Sequence, residues 1–72
     1  MSEKRIVTIT TPYITLGQLL KLASIIGNGG EAKSYLASHE VKVNGEPDSR
    51  RGRKLYPGDE VVVAGITLGV AS

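Results

Sequence analysis

The dipeptide Asn44-Gly45 leaves the chain around it few options. Both residues accept the positive φ angles of a two-residue hairpin turn, and Val41-Lys42-Val43 before them alternates apolar, charged, apolar. That pattern predicts a half-buried strand that doubles back. Two more turn signals follow. Pro57-Gly58 suits the centre of a type II turn, with φ set by the ring at the first position and positive at the second. Ala64-Gly65 separates residues 61–63 from residues 66–70, both read as strands. The C-terminal half is therefore expected to form short, mainly antiparallel strands.

The N-terminal half reads differently. Residues 5–10, Arg-Ile-Val-Thr-Ile-Thr, are rich in β-branched side chains and predict a strand. Thr15-Leu16-Gly17-Gln18 then matches a helix capping box, and Ile14 and Leu19 stand where a hydrophobic staple requires them. Leu16, Leu19, Leu20, Ala23 and Ile26 share one face at helical spacing. Gly27-Asn28-Gly29-Gly30 is expected to end this helix by supplying a left-handed C-cap. A second helix is expected over residues 31–38, with Ala32, Tyr35 and Leu36 on its apolar face. The order is strand, helix, helix, then three or more strands. That is an α+β fold: two short helices packed on a small, mainly antiparallel sheet, in a single domain spanning residues 1–72.

Composition removes most enzyme classes. The 72 residues include no cysteine, tryptophan or phenylalanine and one histidine. There is no thiolate nucleophile, no cysteine-based metal centre and no multi-histidine site, so no cofactor and no metal are expected. A chain this short buries only about 60% of its unfolded surface, which leaves little room for an enclosed pocket. No apolar run approaches the ~20 residues of a membrane span. Met1-Ser2-Glu3-Lys4-Arg5 leads into no apolar signal core, so a cytoplasmic protein without membrane contact is expected. Net charge is +2, but residues 48–54 alone carry +3 and the remainder sums to −1. The excess positive charge is one seven-residue patch, the footprint of a site for an anionic polymer.

At this level of detail the chain resembles a known family. Leu16-Gly17-Gln18-Leu19-Leu20 with Gly27, then Glu31-Ala32-Lys33-Ser34-Tyr35-Leu36, Val41-Lys42-Val43-Asn44-Gly45 and Gly58-Asp59-Glu60-Val61 are similar to the S4 RNA-binding domain and its αL motif. The resemblance covers roughly residues 15–64. It is narrower still toward the small stand-alone S4-domain proteins of the YaaA type. It implies a non-catalytic protein that binds structured RNA, with ribosomal RNA or tRNA as target class and the ribosome or its precursors as partners. Two departures stand out. Asn28 and Gly29 occupy places where the family often has Ser-Arg, leaving Lys33 as the cation nearby. His39 stands where glycine is usual, an uncomfortable choice if the helix ends there in a left-handed turn.

Arg50, Arg51, Arg53 and Lys54 are the principal candidate contacts, because guanidinium forks match phosphate geometry. The other use of such a loop is to keep a sheet edge solvated. Lys33, in the first turn of the second helix, is expected to join a phosphate there together with that helix's exposed N-terminus. Lys42 and Tyr56 are outer members of the site, Tyr56 as a stacking surface for an unpaired base or as a packing residue. Lys21 reads as an ordinary exposed lysine and Tyr35 as core. The 27–30 run lacks the pattern of a nucleotide-binding loop. His39 has no acid–base partner in view, and Asp59 is explained by its turn. A second functional reading makes the basic loop a dock for an acidic protein partner. An enzyme is a distant third.

Overall fold

Thr15 caps the first helix in both directions. Its Oγ1 accepts from the N–H of Gln18 at 3.3 Å, and the Gln18 amide oxygen accepts from the N–H of Thr15 at 3.0 Å. The computed structural model describes residues 3–72. Its elements run β1 (Glu3–Thr8), β2 (Ile14–Thr15), α1 (Leu16–Leu22), a 3-10 turn (Gly29–Glu31), α2 (Ala32–Ser38), β3 (Val41–Val43), β4 (Glu46–Pro47), β5 (Lys54–Leu55), β6 (Glu60–Val63) and β7 (Ile66–Ala71).

Helix α1 is shorter than its apolar spacing suggests. It stops at Leu22, and Ser24 takes a left-handed φ of 61°. The Ser24 N–H donates to the Lys21 carbonyl at 3.0 Å and the Ile25 N–H to that of Leu20 at 2.9 Å. These are the paired bonds of a Schellman stop. The expected glycine terminator is thereby corrected, because Gly27, Gly29 and Gly30 lie outside the left-handed region. Arg5 reinforces the earlier stop by donating from Nη1 to the Ala23 carbonyl at 3.0 Å, a cation at the negative end of the helix. Ala23 and Ile26 remain buried even though both lie beyond the last helical residue. The glycine run instead leads into the 3-10 turn that opens α2. At the far end of α2, His39 is extended (φ −129°, ψ 142°) rather than left-handed, so the strain anticipated there does not arise.

The main sheet has the order β1-β7-β6-β3-β4. Every pairing is antiparallel except β1 with β7, which join the two ends of the described chain in parallel, Glu3 opposite Ile66 to Thr8 opposite Ala71. Strand β1 begins two residues before the expected position and ends at Thr8; the Ile9 N–H still donates to the Ala71 carbonyl at 2.7 Å while its side chain is buried in the core. Asn44 and Gly45 (φ 51° and 86°) form the anticipated hairpin turn. Cross-strand partners share a face, so Val41, Val43, Val61, Val63 and Leu68 form one apolar surface. Onto it pack Leu16, Leu19 and Leu20 of α1 and Ala32 and Leu36 of α2. Each fully buried leucine contributes about 1.5–3 kcal/mol relative to exposure.

A second, two-stranded ribbon positions the site. Ile14 of β2 pairs with Leu55 of β5, and Thr15 with Lys54. It fastens the end of the basic stretch to the start of α1, across some forty residues of sequence.

Candidate nucleic-acid interface

The basic loop is built around one carboxylate. The Asp48 side chain is only 6% exposed. Asp48 Oδ1 accepts from the Arg50 backbone N–H (2.9 Å) and from Arg50 Nε (3.2 Å), while Oδ2 accepts from Arg50 Nη2 (2.9 Å) and Arg53 Nη1 (2.7 Å). The Arg50 guanidinium, with help from the Arg50 N–H and Arg53, holds this carboxyl well below the usual carboxylate range. Asp48 is itself tied to the sheet, its N–H donating to the Val41 carbonyl at 2.9 Å. Arg50 still keeps 72% of its side chain in solvent, against 33% for Arg53.

The backbone of the loop docks on α1. Leu16 N–H donates to the Arg53 carbonyl (2.8 Å) and Gly17 N–H to that of Arg51 (2.9 Å). These donors, with the Gln18 N–H taken by Thr15, are the ones a helix start otherwise leaves free. Gly17 is needed for this approach: a Cβ there would lie 3.3 Å from the Ala32 Cβ and 3.4 Å from the Arg51 carbonyl oxygen. Two helices and the loop meet at that point.

Arg51 and Lys21 line one groove of about 390 Å³ with Gln18, Gly29, Ala32 and Gly52. Lys33 follows Ala32 in α2 and is exposed, but it is not among the residues that line this groove. The second-helix N-terminus is less open than expected. The Glu31 N–H is bonded to the Asn28 carbonyl (3.2 Å) and the Ala32 N–H to that of Gly29.

Lys54 turns away from the groove, its Nζ 5.0 Å from the centre of the Tyr13 ring. Tyr56 is exposed, its ring 5.9 Å from that of Tyr13. Lys42 projects from the opposite face of its strand to buried Val41 and Val43, and lies 3.9 Å from Glu40, so it is not brought into the groove. Tyr35 is half-buried against the core and stacks on His39 at 4.1 Å. Asp59 accepts from the Tyr56 N–H at 2.8 Å, as its turn requires.

Sequence reasoning read Lys21 as an ordinary exposed lysine and gave Tyr13 no part in the site. Lys21 had a usable signal, since it stands three residues after Gln18 on the same side of α1. Tyr13 had none, because its partnership with Tyr56 depends on the β2–β5 pairing. Among the described residues, no three His, Asp or Glu side chains cluster as metal ligands, and no helix is long and apolar enough to cross a membrane.

The sequence model of the S4 domain matches residues 7–71. The chain is 61% identical over 59 residues to the "Probable ribosome maturation protein RlbA" of Bacillus subtilis (strain 168), covering 82% of this chain and 83% of that protein. It is 34% identical over 61 residues to the "Putative RNA-binding protein YbcJ" of Escherichia coli (strain K12), covering 85% and 87%. With its two helices on a mainly antiparallel sheet and a family match over nearly its whole length, the chain belongs to the S4 domain family.

Proposed function

We propose that this protein is a non-catalytic, cytoplasmic RNA-binding module that takes structured RNA, ribosomal RNA or tRNA, and acts in ribosome assembly or translation. The observation that carries the reading is the basic loop itself. Its cations stand on a backbone held by Asp48 and by α1, so their charges are presented from a fixed surface and little chain entropy is lost on binding. The names of the two relatives, one for ribosome maturation and the other for RNA binding, support it from outside the structure.

In this mechanism Arg50, Arg51, Arg53 and Lys54 contact phosphates along one strand and Lys33 contacts those across a groove. Lys21 adds to the Arg51 contact, and Lys42 and Tyr56 lie at the margin. Phosphate contacts position the protein, and selectivity comes from the shape and 2′-hydroxyls of the RNA. About five neutralised phosphates give a slope of log K against log[salt] of roughly −3.5 to −4.5.

The test is a salt-titrated binding isotherm on a ribosomal RNA hairpin and a matching DNA hairpin, comparing the protein with a variant carrying alanine at Arg50, Arg51, Arg53 and Lys54. The expected result is preference for RNA, with both affinity and slope reduced in a variant that remains folded. Equal binding by the two proteins, or a flat salt dependence, removes the phosphate-contact mechanism and favours the protein-docking reading of the loop.

A further inference from the structure

Tyr13 and Tyr56 form an exposed aromatic pair. Ile14 and Leu55 are register partners in the β2–β5 ribbon and both point inward, 4% and 0% exposed. Side chains alternate along a strand. Tyr13 and Tyr56, one step along on either side, therefore emerge together on the solvent face, where the Thr15–Lys54 pair also lies. The two residues are 39% and 49% exposed, with ring centroids 5.9 Å apart and planes at 48°. A tilted pair of this kind leaves ring surface open to a third aromatic partner.

The backbone beneath these rings is fixed. Tyr56 donates its N–H to Asp59 Oδ2 at 2.8 Å, and its carbonyl accepts the Asp59 N–H at 2.9 Å. The Tyr13 carbonyl accepts from Thr11 Oγ1 at 2.7 Å. Pro12 and Pro57 stand immediately beside the two tyrosines. A rigid aromatic surface loses little conformational freedom when it binds. The charge around it identifies the occupant. Lys54 Nζ is 5.0 Å from the Tyr13 ring centre, and Arg53, Arg51 and Arg50 follow back along the same loop. A ligand that presents a flat ring beside phosphates fits this arrangement, and an acidic peptide satisfies only its charged half.

We infer that the Tyr13–Tyr56 pair is a stacking site for one unpaired nucleobase of an RNA whose flanking phosphates are held by Lys54 and the basic loop. The inference rests on the RNA-binding reading and adds to it a requirement: the preferred RNA is a duplex interrupted by an unpaired base, not an unbroken one. Tyr56, the more exposed ring, receives the base, and Tyr13 braces it.

The experiment uses three RNA hairpins of one sequence, fully paired, with a single-base bulge, and with an abasic bulge at the same position. Base–aromatic stacking is worth roughly 5- to 150-fold in affinity. The bulged RNA is expected to bind tighter than the other two by a factor in that range. Tyr56→Ala and Tyr13→Leu are expected to remove the advantage of the bulged over the paired hairpin while leaving the salt slope unchanged, since neither removes a charge. A second measurement does not depend on those variants folding. With no tryptophan in the chain, a Tyr35→Phe protein reports fluorescence from Tyr13 and Tyr56 alone, and the bulged RNA should quench it more than the abasic one. Equal affinity for all three hairpins with a steep salt slope overturns the stacking site and leaves RNA binding standing. Tyrosine variants that weaken paired and bulged RNA alike overturn it too. Binding to none of the three removes both readings together.

Discussion

At the scale of single residues, Asp48 decides how the basic loop works. It is an acid inside the most basic segment of the chain, and simple charge counting treats it as a liability for binding RNA. Its four accepted hydrogen bonds argue the reverse. Asp48→Asn raises the net charge by one, so Coulomb attraction alone predicts tighter RNA binding. A loop that depends on Asp48 for its shape predicts weaker binding, and that is the expected outcome in the same salt titration. The substitution should also cost about 1–3 kcal/mol of stability at neutral pH, through the loss of charge-assisted bonds to a nearly buried group. The pH dependence follows from linkage. Because the folded carboxyl titrates below its unfolded value, its contribution is complete above about pH 4 and is lost as pH falls further. Thermal melts from pH 7 down to pH 2 should show a shallower acid loss in Asp48→Asn than in the parent protein; parallel curves would contradict the role given to Asp48.

At the scale of elements, the ends of helices explain most of the distance between sequence pattern and structure. The start of α1 was legible, because capping is local chemistry among Thr15, Leu16, Gly17 and Gln18. Its end was not. A glycine run signalled a stop, yet the chain reverses at Ser24 and places an ordinary residue at a φ of 61°. The tertiary surroundings outweigh the local cost there: Arg5 holds the Ala23 carbonyl, and Ala23 and Ile26 both reach the core. Left-handed backbone costs an L-residue about 1–2 kcal/mol. Ser24→Gly should therefore raise stability by about 0.5–1 kcal/mol in urea unfolding, with RNA affinity unchanged. An unchanged or lowered midpoint would show that the Ser24 conformation carries no strain. The hairpin at Asn44-Gly45 is the opposite case, since its preferred geometry and the tertiary structure agree and the strand pairing could be read directly.

At the scale of the whole molecule, stability depends on one small core without a disulfide to assist it. Leu68 shows how concentrated that core is. It stands on β7 between Arg5 of β1 and Val61 of β6 and is fully buried. Leu68→Ala is expected to cost about 2–5 kcal/mol, which in a domain this size lowers the melting temperature by more than 8 °C. A loss under 1 kcal/mol in denaturant titration would mean that the sheet closes the cavity.

What the sequence by itself determined are the features whose causes lie within a few residues. These are the capping box, the amphipathic faces, the three tight turns and the local excess of cations at 50–54. The family motifs are local in the same sense, and they sufficed for the fold class. The tertiary structure decided which charges and rings meet. Asp48 and Arg53 are close in sequence, but their bond exists because Val41 anchors one and Leu16 the other. Arg51 shares a groove with Lys21, and Tyr56 pairs with Tyr13, only because β2 and β5 join segments some forty residues apart. Pairings over that distance depend on burying Ile14 and Leu55 in a common core. Two isolated apolar residues carry no local signal of such a union.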